Sequence, residues 1–66
     1  MRDADNGTSA VVRGTAEERP NGQIVVSNGT VIFVPRNGSF PRMMTVSGLD
    51  TLTIEPDGWV TFQRGI

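Results

Sequence analysis

The sequence predicts an all-β domain, a small antiparallel sandwich or partly open barrel of five to six short strands built from hairpins. All four asparagines precede glycine, and Asp57-Gly58 adds a fifth pair of the same kind. Such pairs tolerate the positive φ angles that tight hairpin turns need. Between the pairs lie short runs of valine, isoleucine, threonine and phenylalanine, which favour pleated strands. A chain of 66 residues has room for one such domain.

The first 22 residues give the weakest strand signal. Residues 1–9 are polar, and we expect them to form a flexible arm that only a partner would order, ahead of a single small β domain over residues 10–66. Residues 10–12 (Ala-Val-Val) are compatible with a short strand. Residues 15–18 (Thr-Ala-Glu-Glu) have the spacing of a helix capping box, but Pro20 limits any helix there to about one turn.

The middle of the chain predicts a two-residue hairpin. Asn28-Gly29 separates two runs of mostly apolar residues, 23–27 and 30–34, and a two-residue loop would place Val26 opposite Val31. Alternation along such a hairpin gives two apolar faces, one with Ile24, Val26, Val31 and Phe33 and the other with Val25, Ile32 and Val34. Because a lone domain needs only one apolar sheet face, we expect a partner to cover the second.

The last third of the chain predicts a further strand and a second hairpin. Residues 35–42 are a loop bounded by prolines, and residues 42–46 follow as a strand. Residues 51–55 and 59–63 flank a Pro-Asp-Gly turn, which closes with Glu55 opposite Trp59. The predicted buried face of this hairpin consists of Leu52, Ile54, Val60 and Phe62. The same alternation directs Trp59 outward.

The composition removes most catalytic chemistry. The chain has no histidine, cysteine, lysine or tyrosine, so an imidazole base, a thiol nucleophile and a Schiff-base amine are all missing. A calcium loop beginning at Asp3 fails, because its twelfth position, which needs a glutamate, is Gly14. We therefore expect no enzymatic activity, no catalytic residue, no cofactor and no metal site.

Size and charge indicate the kind of partner. A domain of about 60 residues buries too little surface to be more than marginally stable, and without disulfides association is the usual remedy. We therefore expect a protein partner, either further copies of the chain or a larger assembly. Six arginines interspersed among seven acidic residues give a net charge of −1, which argues against nucleic acid. The apolar run over residues 31–34 is too short to span a membrane, and no signal peptide is apparent, so we expect a soluble protein.

These observations favour a non-enzymatic structural or interaction module that self-associates or docks on a larger assembly. Its small size, polar arm and hairpin body fit a phage or viral virion component, namely a decoration, cement or tail protein. The alternative is a small β-barrel that binds nucleic acid or acts as a regulatory domain, in which an arginine-aromatic loop stacks on a base and contacts phosphates. The expected interface residues are Val25, Ile32, Val34 and Trp59, together with the loop residues Arg36, Phe40 and Arg42.

Overall fold

The computed structural model describes residues 2–65, and side chains from Asn6 to Gly65. Met1, the first residue of the predicted arm, lies outside the described residues. Five antiparallel strands form one sheet: β1 (Arg2–Glu18), β2 (Ile24–Pro35), β3 (Arg42–Val46), β4 (Thr51–Ile54) and β5 (Trp59–Gln63). The predicted all-β class is therefore confirmed.

Four of the five strands bond in a closed ring, and β3 lies beside it on one edge. Residues 2–6 of β1 pair with β5, β5 pairs with β4, and β4 pairs with residues 24–26 of β2. β2 closes the ring by pairing with residues 7–18 of β1. Within the part of the chain that the structure describes, β3 pairs only with residues 29–33 of β2, so its other edge has no neighbouring strand there. The result is a barrel in which two strands, β1 and β2, are much longer than predicted.

No hairpin forms at Asn28-Gly29, and this prediction is wrong. β2 continues through the pair without interruption. The positive φ of Gly29, 138°, accommodates a bend in the strand instead of a turn. A two-residue turn would have paired β2 only with itself over a few residues. β1 instead offers a ladder of eleven residue pairs along both halves of β2, and the longer ladder prevails.

The buried face predicted for this segment is nevertheless correct, for a different reason. Ser27 is an extra residue on β2, because the ladder with β1 skips from Val26 to Asn28. An extra residue of this kind is a β-bulge, and it shifts the alternation of side chains by one position. Val26 before the bend therefore faces the same way as Val31 and Phe33 after it, and all three are fully buried.

Over β1 the structure differs from two further predictions. Residues 15–18, where a turn of helix was allowed, are strand and pair with β2. Residues 2–9, predicted to be a flexible arm, also belong to β1, with residues 2–6 opposite β5 and residues 7–9 opposite β2. Their polar composition does not prevent this, because a ladder is held by backbone hydrogen bonds that any residue except proline supplies.

The second hairpin and the strand before it are as predicted. Ile54 lies opposite Val60 and Leu52 opposite Phe62, and the amide of Glu55 donates to the carbonyl of Trp59 at 2.7 Å. The hydrophobic core is built from side chains of four strands, β2, β3, β4 and β5. Its buried members are Val26, Val31, Phe33, Val46, Leu52 and Val60.

Candidate functional site

The outer face of the β1–β2–β3 region is apolar. Ile32 lies opposite Ala10 of β1 and opposite Met43 of β3, and Val34 follows two residues later on the same face. The exposed fractions are 37% for Ile32, 43% for Val34 and 72% for Met43. We call Ala10, Ile32, Val34 and Met43 the outer patch. Because cross-strand neighbours on one face are in contact distance, the patch is continuous over three strands.

The structure separates Val25 from the two residues with which the sequence grouped it. Val25 precedes the bend of β2, where it lies opposite Glu17 of β1 and Thr53 of β4, and it is half-buried. Ile32 and Val34 lie beyond the bend. Sequence reasoning missed Met43 and Ala10, because only the register of β3 and β1 against β2 shows that they adjoin Ile32.

Trp59 points outward, as the alternation of the second hairpin predicts. Its side chain is 46% exposed, whereas the next residue, Val60, is buried. The Trp59 amide donates to the Asp57 carboxylate at 3.3 Å, and across the sheet Trp59 lies opposite Asn6 of β1. Because β5 pairs only with β4 and the start of β1, Trp59 does not belong to the outer patch.

The loop between β2 and β3 exposes an aromatic ring but does not leave both of its arginines free. Phe40 is 91% exposed, and Arg36 is exposed as well. The guanidinium of Arg42 lies 5.6 Å from the centre of the Phe33 ring, a cation–π contact that ties it to the barrel. The loop borders a shallow depression of about 280 Å³, lined by Pro35, Asn37, Ser39, Phe40 and Arg42.

A second depression, of about 330 Å³, lies at the bend where β1 and β2 cross. Its lining comes from residues 13–15, 28–30 and 45–47, and Arg13 is its only charged side chain. Between Asn6 and Gly65, the side chains that the structure describes include no group of three acidic residues that could hold a metal ion.

A partially buried hydrogen bond fixes the relative position of the two hairpin turns. The side-chain amide nitrogen of Gln23, beside the β1–β2 turn, donates to the carboxylate of Glu55 at 2.7 Å.

Over residues 2–65, no helix is long and apolar enough to cross a membrane. Comparison of the chain with protein-family models, with curated proteins and with solved structures finds no match.

Proposed function

We propose that the chain is a non-enzymatic structural module that assembles with copies of itself through the outer patch. The observation that supports this most directly is the exposure of Ile32, Val34 and Met43 side by side on neighbouring strands. A continuous exposed apolar surface on a small soluble domain marks an interaction site far more often than an isolated exposed residue does.

Within this class, we propose a component of a virion or similar particle, acting as a decoration, cement or tail protein. Such a protein needs a stable fold and surfaces that adhere, and it needs no reactive group. Further exposed apolar side chains support the idea of several contacts per copy. They are Phe40 at 91% and Trp59 at 46% exposed.

The test removes apolar area from the outer patch without disturbing the strands. Threonine is β-branched, a shape that strands favour, so Met43→Thr and Ile32→Thr should both fold. Sedimentation velocity over a range of micromolar concentrations should show the wild-type chain above monomer mass. Each variant should raise the dissociation constant about tenfold, because each loses most of one partly buried apolar side chain at the contact.

Leu49→Thr is the matched control. Leu49 is as exposed as Met43, at 72%, but it lies in the loop after β3 and outside the outer patch. This variant should associate like the wild type. A wild-type chain that stays monomeric, or a Leu49→Thr variant that dissociates as readily as Met43→Thr, would contradict the proposal.

A further inference from the structure

We propose that two copies pair along the free edge of β1, antiparallel about a two-fold axis at Thr15, with Arg13 of each copy opposite Glu17 of the other. The inference rests on the proposed self-association and names one of its contacts. It depends on three properties of residues 8–18: an unpaired backbone edge, only partial protection of that edge, and a charge pattern that is complementary to itself.

The edge is unpaired over most of the length of β1. Pairing with β5 ends at Asn6, and the last bond on that side is from the Gly7 amide to the Gly58 carbonyl, 3.0 Å. From residue 8 to residue 18, β1 pairs with β2 on its other side, and no other strand of the described chain pairs with it. Outward N–H and C=O groups of such an edge are a template for another strand.

The sequence protects this edge only in part. Natural edge strands commonly carry charged side chains, lysine above all, or proline, or a bulge that turns the edge away. Residues 8–18 contain no lysine and no proline, and their three charges are of both signs. A bulge does occur at Val12, which the ladder with β2 skips. Beyond that bulge the ladder shifts register once more, between Thr15 and Ala16, and Gly14 has a positive φ of 112°. The extra residue at this second shift is Ser27 of β2, so residues 13–17 of β1 have no extra residue of their own and a second strand can join them.

The charges select one register. Residues 8–18 carry one cation, Arg13, and two anions, Glu17 and Glu18. Opposed residues share a face of the sheet, so a two-fold axis perpendicular to the sheet requires them to be an even number of positions apart. Arg13 can therefore face Glu17 but not Glu18, and the axis then falls on Thr15. An axis at Arg13 itself would oppose like charges.

Both partners of the proposed ion pair are accessible. Every side chain from residue 10 to residue 18 is exposed. Glu17 already has one ion pair, with Arg19 at 3.6 Å, in which the Glu17 side chain remains 73% exposed. A carboxylate has acceptor sites for more than one donor group, so Glu17 can also accept from the guanidinium of the second copy.

The pairing would also organise the outer patch. Joining two β1 edges makes one continuous sheet in which each β1 lies between its own β2 and the β1 of the other copy. Because the axis is perpendicular to this sheet, the two outer patches lie on the same side of the dimer. Two identical apolar patches on one side allow bivalent attachment to a larger surface, which binds more tightly than one patch alone.

The experiment uses two charge reversals that should repel themselves and attract each other. In R13E, glutamate would face Glu17, and in E17R, arginine would face Arg13, so each variant alone should self-associate at least about tenfold more weakly than the wild type. In an equimolar mixture, each R13E–E17R pair regains two opposite-charge contacts. Titrating trace fluorescently labelled R13E with E17R should therefore give a dissociation constant close to that of the wild type.

The control is E18R, which makes the same charge change one position along the strand. Because residue 18 does not face residue 13 in this register, the R13E–E18R pair gains only one opposite-charge contact and keeps one like-charge contact. It should therefore bind like R13E with the wild type, and several-fold more weakly than R13E with E17R. Equal recovery with E18R would indicate general charge attraction and overturn the pairing. So would a wild-type chain that self-associates while R13E and E17R have no effect, although the proposed function would then stand. A monomeric wild-type chain would contradict both.

Discussion

Gly29 lies where β2 bends and where β1 passes closest to it. Its φ of 138° belongs to a region that residues with a Cβ rarely adopt. A Cβ at this position would also collide with the carbonyl oxygen of Arg13 and with the Cα of Gly14. Gly29→Ala should therefore lower the free energy of unfolding by about 3 kcal/mol, through backbone strain and overpacking. Urea unfolding followed by Trp59 fluorescence measures this loss.

Gly38 provides the control for the collision. It also has a positive φ, 85°, but a Cβ there would meet no atom within 4 Å. Gly38→Ala should cost about 1 kcal/mol, the backbone term alone. If both variants lose the same stability, the close crossing of β1 and β2 does not determine the need for glycine at position 29.

Among the elements, local signals correctly predicted the β4–β5 hairpin, whose two strands are neighbours in the sequence and pair with each other. The Pro-Asp-Gly turn, the alternation of residues 51–55 and 59–63 and the outward Trp59 all follow from neighbouring residues, and the structure confirms them. Asn28-Gly29 carries an equally strong local signal, but a positive φ at glycine serves a bend as well as a turn. Which of the two forms depends on β1, fifteen residues earlier, and on its long ladder with β2.

The outer patch was only half predictable for the same reason. Alternation along β2 put Ile32 and Val34 on one face, and both are exposed. Met43 joins them because β3 pairs with the second half of β2, with Met43 opposite Ile32. Nothing in residues 42–46 alone specifies that register. The free edge of β1 was not predictable either, because residues 8–18 gave no signal for one long strand.

The first residues of β1 provide a test of the element as a whole. Residues 2–6 form the ladder with β5 that closes the ring, so deleting residues 1–5 should open the barrel. We expect the Tm to fall by at least about 5 °C, the shift that roughly 1 kcal/mol produces in a domain of this size. Thermal unfolding can be followed by the fluorescence of Trp59, whose backbone lies opposite Asn6. An arm that only docks on a partner would leave the Tm unchanged.

The whole molecule exposes more surface than a compact monomer of its mass. Its accessible surface is 4669 Å², whereas a folded monomer of 7.1 kDa is expected to expose about 4,100 Å². Among the side chains from Asn6 to Gly65, six form the buried core and eight large apolar ones are exposed. Because burial of apolar surface is the main stabilising contribution to folding, we expect association to supply part of the stability of this chain.

This dependence predicts a Tm that rises with protein concentration. Association stabilises only the folded chain, so each tenfold increase above the dissociation constant adds about 1.4 kcal/mol and raises the Tm by roughly 5 °C or more. If Trp59 also lies in a contact, as predicted, its emission should shift to the blue over the same concentration range. Met43→Thr should weaken the dependence, because it removes area from the outer patch. A Tm that stays constant over a hundredfold range of concentration would contradict this prediction. It would show that the monomer is stable by itself and that association of its exposed apolar residues adds nothing to the stability of the fold.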